Sequence, residues 1–151
     1  MPGHFGIARV KDEALAASAT ETIVQIVAAT NHRVKVVAWG VYFAGTSVTA
    51  QPVQATLQKQ TSAGTSSALT VEQWQAPDDD TFDTAALQDF TAEPTKSGWE
   101  HPTRVHPQAG YEIWFPEGKE PTIEAGGRAG VEVITPAGVN PNCTAFIVFE
   151  E

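Results

Sequence analysis

Apolar and polar positions alternate most cleanly along residues 53–61 (VQATLQKQT), where Val53, Ala55 and Leu57 are interleaved with Gln54, Thr56 and Gln58. Period-two alternation is the mark of a half-buried β-strand. Residues 21–30 (ETIVQIVAAT) form a β-branched apolar run and predict a buried strand. Asn31 and His32 predict a turn, and residues 33–43 (RVKVVAWGVYF) a long strand of imperfect alternation. Gly40 within it points to a bulge or to a close approach by another group, and marks a candidate corner of a sandwich. From Trp99 onward, short β-type segments recur at 103–106, 111–115, 122–124, 129–135 and 144–149. The turns HPQAG, PEGKEP, AGGR and PAGVNPN separate them. Many short strands with Gly/Pro punctuation predict an all-β sandwich or barrel. Seven to eight strands in ~130 residues fit a jelly roll or a related Greek-key sandwich.

Two regions depart from this pattern. Residues 1–20 (MPGHFGIARVKDEALAASAT) pass from Gly and Pro into the helix formers KDEALAASA, too short a run for a stable isolated helix. Two readings stand: an arm that orders only against the body or a partner, or a first strand, FGIARV, within the sheet. Residues 62–97 are the least regular. Asp80 or Thr81 caps a candidate short helix running to Phe90, with Asp83 in its first turn. This region is expected to pack over one end of the sheets or against a neighbouring subunit. The expected organisation is thus an N-terminal arm at 1–20 and one domain at 21–151, an antiparallel jelly-roll-like β-sandwich with one short helix in the 78–90 region.

Composition narrows the functional classes. Only 18% of residues are charged, against about 25% in typical domains, and Thr, Ser, Gln and Ala fill the deficit. Nine basic residues against eighteen acidic ones give a net charge of −9. Binding to nucleic acid or to an anionic membrane needs clustered Lys and Arg, so neither partner is expected. Cys143 is the single cysteine, which rules out a disulfide within the chain. It reads as a small apolar residue in a strand. No segment approaches the ~20 apolar residues of a spanning helix. ALAASA resembles a signal-peptidase site but lacks a preceding apolar stretch.

Candidate chemistry is sparse. Asp78, Asp79, Asp80 and Asp83 are suitably rich in oxygen for calcium, but the loop lacks its turn glycine, and Asp89 is shorter than the usual closing Glu. Glu100, His101 and His106 (WEHPTRVH) supply metal-ligand chemistry without a visible convergent third or fourth ligand. GxSxG, P-loop, GxGxxG and HExxH signatures are absent, and AGGR lies between β segments with no helix to follow. No catalytic, cofactor or metal site is therefore expected. A hydrolase using carboxylates such as Asp80, Glu100 or Glu112 remains as a rival. Trp39 reads as core. Trp114, between Ile113 and Phe115, faces away from both, so its strand is expected to be covered on two sides, which hints at an oligomer.

The succession ATNHRVKVVAWGVYFAGTSVTAQPVQATLQKQTSAGTSSALT, TAEPT, RVHPQAGYEIWFP and FIVFEE resembles a family of small tailed-phage and prophage structural proteins. The resemblance covers residues 22–151 and extends to jelly-roll head decoration (cement) proteins. It implies a non-enzymatic virion protein, made in the host cytoplasm, that binds the major capsid protein on the outer face of the head. It also implies a homotrimer that stabilises capsomer contacts. Residues 1–20 and 62–97 are the expected contact segments, and the uncharged Gln/Thr face of 53–61 is a further candidate. The alternative is a carbohydrate- or receptor-binding module of a phage fibre or tail, acting through exposed tryptophans such as Trp74 and Trp99.

Overall fold

The computed structural model describes residues 3–46, 51–75 and 81–151. Among them the chain forms strands and turns and no helix. In order, the first six strands are β1 (Phe5–Ala14), β2 (Thr20–Val27), β3 (Val34–Ala44), β4 (Val53–Gln60), β5 (Thr65–Leu69) and β6 (Glu72–Gln75). Then come β7 (Ala85–Ala92), β8 (Lys96–Val105), β9 (Gly110–Trp114), β10 (Thr122–Ile123), β11 (Arg128–Ile134) and β12 (Asn142–Glu150). One sheet runs β10-β3-β12-β1-β6, with β9 also paired to β3. The other runs β5-β7-β2-β11-β4-β8. Every pairing is antiparallel.

The two sheets form a β-sandwich around one apolar core. Trp39, Val41, Ile147 and Phe149 enter it from the first sheet, and Ile26, Leu57, Val131 and Val133 from the second, all at most 1% exposed. Alternation along β3, β4 and β12 selects these side chains, because successive residues point to opposite faces. The pairing is nested: β1 with β12, β2 with β11, β3 with β9 and β10, and β4 with β8. β5, β6 and β7 are inserted between the members of the innermost pair and lengthen both sheets along one side.

Residues 5–14, readable from sequence as arm or as strand, are β1, hydrogen-bonded between β12 and β6. The helix formers at its end continue the strand past a bulge between Val10 and Glu13, where Asp12 takes φ 52°. Asp tolerates this left-handed conformation, and the Thr144 hydroxyl accepts its N–H at 3.1 Å.

The short helix expected at 78–90 is not found in the described part of that region. Residues 78–80, with the proposed cap Asp80 and the acidic triplet, lie outside the described residues. From Ala85 the chain is β7, because β2 and β5 claim its backbone on both sides and Ala86 and Phe90 are buried. Tertiary pairing overrides the helical preference of AALQ. The Glu151 carboxylate fixes the approach to β7, accepting the N–H groups of Asp83 at 3.0 Å and Thr84 at 2.9 Å.

The Gln/Thr face of β4 is also not the surface that its alternation predicts. Thr56, Gln58 and Gln60 are at most 3% exposed. Residues flanking the β5–β7 insertion supply partners there. Gln25 donates to the Gln60 side chain at 2.7 Å and to the Ser62 carbonyl at 2.9 Å. Glu93 accepts from the Thr22 N–H and hydroxyl at 2.8 and 2.6 Å. Gln58 donates to Glu132 at 3.2 Å, and Lys96 closes on the same carboxylate at 3.1 Å. These bonds offset the cost of burying amides and carboxylates, although the Gln58 amide oxygen has no partner among the described residues.

Candidate functional site

The outer face of the β6-β1-β12-β3-β9 surface holds the densest group of exposed aromatics. Register aligns its outward residues in transverse rows. Ile7, Val148, Ala38 and Trp114 form one row, and Arg9, Phe146, Gly40 and Glu112 the next. Thr144, Tyr42 and Gly110 form a third. Two glycines let rings lie flat on this face. A Cβ at Gly110 would come within 2.2 Å of the Tyr42 ring, and one at Gly40 within 2.6 Å of Phe146. The Tyr42 and Phe146 rings accordingly lie nearly parallel, at 16° with centroids 6.2 Å apart.

Trp74 reaches this face from β6 through a bulge. Gln73 pairs with Gly6 and Gln75 with Phe5, so Trp74 is the extra residue between them. Bulges re-aim side chains in this way. β6 and β9 are separated by β1, β12 and β3, or about 19 Å along a flat sheet at the usual strand spacing. The Trp74 and Trp114 rings nevertheless meet, with centroids 6.0 Å apart and planes at 41°. The two side chains therefore reach toward each other over the strands between them and bridge the outer face. Beneath them Ile7, Ala38, Phe146 and Val148 form a second small apolar cluster, none more than 8% exposed. Beside the bridge lies a groove of about 390 Å³ whose lining includes Trp74, Trp114, Tyr42, Phe146, Glu112 and Arg9.

Glu112 is the fixed polar group of the groove. Its Oε1 accepts the Trp114 indole N–H at 2.6 Å, and its Oε2 accepts the Tyr42 hydroxyl. These two bonds, Tyr42 first, hold its carboxyl below the usual carboxylate range. The same bond to Glu112, together with burial and the carboxylate charge, raises the Tyr42 hydroxyl. Across the floor, Arg9 pairs with Glu72 at 2.9 Å, tying β1 to β6.

The other sequence candidates do not converge. His101 points inward, where its Nδ1 accepts the Trp39 indole N–H at 3.3 Å and its ring packs edge-on against Trp39 and Phe115. Glu100, the next residue on β8, lies 4.0 Å from Lys96. His106 Nδ1 accepts the Gln108 N–H at 3.1 Å. Among the described residues no three His, Cys, Asp or Glu side chains gather as a metal site. Glu100 belongs to one sheet and Glu112 to the other, and both side chains are on outer faces, so the two carboxylates cannot act on one bond. Cys143 is fully buried in β12, and burial, with the Glu21 and Glu13 charges behind it, pushes its thiol up to about 12.

Trp39 lies in the core, as its sequence context predicts. Trp99 is partly buried against the same core, away from the groove. Trp114 turns away from Ile113 and Phe115 as expected, but it is 46% exposed. The pairing of Trp74 with Trp114, and the part played by Tyr42, had no sequence signal beyond the presence of the aromatics. No protein-family model, curated protein or solved structure matches this chain.

Proposed function

We propose that this chain is a non-enzymatic jelly-roll decoration (cement) protein of a tailed-phage head. It binds the major capsid protein on the outer face of the shell, as a trimer assembled in the host cytoplasm, and reinforces capsomer contacts. The observation that carries this reading is the nested pairing. Taken without the inserted β5–β7 and the two-residue β10, which shares the β3 edge with β9, it gives the strand order β1-β12-β3-β9 in one sheet and β2-β11-β4-β8 in the other. An eight-strand chain folded on itself as two Greek keys has this order, and jelly rolls of this kind recur in viral capsid proteins. The phage context comes from the resemblance read in residues 22–151, and the strand order adds a likeness of fold.

The 62–97 region is the contacting segment in this reading. Its strands β5, β6 and β7 lie along one side of the sandwich, and β5 and β6 present mostly exposed residues. The 1–20 segment contributes less, because Phe5–Ala14 is inside a sheet. Summing weak contacts over three subunits gives the avidity that a cement protein needs. Titration onto undecorated phage shells tests the proposal. Co-sedimentation and a raised shell-disruption temperature are expected. Saturating protein that neither binds nor shifts that temperature would sink it.

A further inference from the structure

We infer that the groove on the outer face of the β6-β1-β12-β3-β9 surface is a binding site for a neutral saccharide. Its roughly 390 Å³ falls within the ~300–1,000 Å³ typical of small-ligand sites. A pyranose has an apolar C–H face and a rim of hydroxyls, and the groove offers a surface for each. Trp74, Trp114 and Tyr42 are 54%, 46% and 43% exposed, the large apolar side chains most open to solvent among the described residues. Exposed aromatic rings of this size bind through their faces while their polar ends stay wet.

The hydroxyl side is built as well. Each Glu112 oxygen accepts one hydrogen bond from the protein and keeps a second lone pair for a ligand hydroxyl. Because Tyr42 and Trp114 already hold the carboxylate in place, binding need not order it. Arg9 presents five N–H donors, and Glu72 engages it through Nη2. Thr144, Lys11 and Asp12 complete the polar lining.

Charge selects the ligand class. The groove is lined by two cations, Arg9 and Lys11, and two carboxylates, Asp12 and Glu112, and a third carboxylate, Glu72, already pairs with Arg9. A quaternary ammonium has no acceptors for the Arg9 and Lys11 donors, and a phosphate would meet the Asp12, Glu112 and Glu72 carboxylates. A purely apolar segment would strip water from all four without replacing its hydrogen bonds. A neutral polyhydroxylated ring satisfies all of them. The groove shares Trp74 of β6 with the 62–97 region proposed for shell attachment, whereas Trp114 lies outside that region, so a Trp114 variant separates the two uses.

Tryptophan emission during titration with chitohexaose, cellohexaose and maltohexaose tests the site, with choline chloride and inorganic phosphate as charged controls. At least one neutral hexasaccharide is expected to give saturable quenching or a shift. Trp114→Ala and Trp74→Ala each weaken that binding about tenfold or more, while Trp99→Ala leaves it intact. Glu112→Gln keeps the side-chain shape and weakens it as well, which covers the case in which a tryptophan variant fails to fold. Shell binding by Trp114→Ala stays at the wild-type level. The inference is overturned if none of the three saccharides changes the emission. It is equally overturned if the change survives in the Trp74→Ala, Trp114→Ala double variant, or if choline or phosphate binds there more tightly.

Discussion

The ring of Phe146 occupies the space that a side chain on its cross-strand neighbour Gly40 would need. A Cβ at residue 40 would lie 2.6 Å from Phe146 Cε1 and 2.8 Å from the Tyr111 carbonyl oxygen. The ring can tilt, but the carbonyl belongs to the β3–β9 ladder and cannot. Gly40→Ala is therefore expected to destabilise the fold by about 1–3 kcal/mol, the usual range for overpacking. Urea denaturation measures it, and a loss below about 0.5 kcal/mol would contradict the close approach.

Glu21 is held in the folded protein against its own charge. Burial, then the nearby Glu13 and Glu93 carboxylates, raise its carboxyl above the ordinary 4.5. A raised carboxyl in the folded state means that folding favours the protonated form. Its ionisation opposes folding once pH rises above the ordinary carboxylate range, and the penalty fades as pH falls through the raised value toward 4.5. Glu21→Gln is expected to raise the thermal midpoint at about pH 7 and to gain little at about pH 4. An equal gain at both values would show that charge is not the cause.

Lys96 and Glu132 form a pair in which one member is buried and the other is not. The Glu132 side chain is 6% exposed and that of Lys96 49%. Lys96→Met leaves a buried carboxylate with the Gln58 amide as its remaining side-chain donor among the described residues, and the expected cost is about 1–3 kcal/mol. Adding Glu132→Gln removes the stranded charge and should restore more than half of that loss. A double variant no more stable than Lys96→Met in chemical denaturation would refute the coupling.

Cys143 is predicted to be chemically silent. The thiolate is the reactive form, and burial pushes this thiol up to about 12. Ellman's reagent at about pH 8 should leave the native protein unmodified and label one thiol per chain once guanidinium unfolds it. Rapid stoichiometric labelling of native protein would refute the buried placement.

Strands whose two faces differ, or that are apolar throughout, were legible in the sequence. The runs at 21–30, 33–43, 53–61, 129–135 and 144–149 correspond to β2, β3, β4, β11 and β12 within a few residues. Gly40 was legible as a close approach, but the irregularity of its strand falls earlier, where the register shifts between Ala38 and Val36. β5, β6 and β7 were not legible, because their residues are mostly exposed and owe their conformation to neighbouring backbone. The groove was hidden for a related reason. Trp74 and Trp114 meet across a sheet from β6 and β9, with a one-residue bulge at Trp74, and neither the pairing nor the bulge leaves a periodic mark on the sequence. Gln58 and Gln60 show the converse: their spacing predicts solvent, yet they are interior and bonded to Glu132, Gln25 and Thr22 of neighbouring strands.

The nesting of strand pairs also has a kinetic consequence. The innermost pair, β4 with β8, already spans the whole β5–β7 insertion, and the outermost joins Phe5 to Glu150. Almost nothing can be gained from local contacts, so large loops must close before pairing rewards them. Refolding is expected on the slow side for a domain of this size, in milliseconds to seconds. Until β1 docks on β12, the apolar edge of β12 stays open to other chains. Yield on refolding should therefore fall as protein concentration rises, even though the finished molecule keeps that strand covered on both sides.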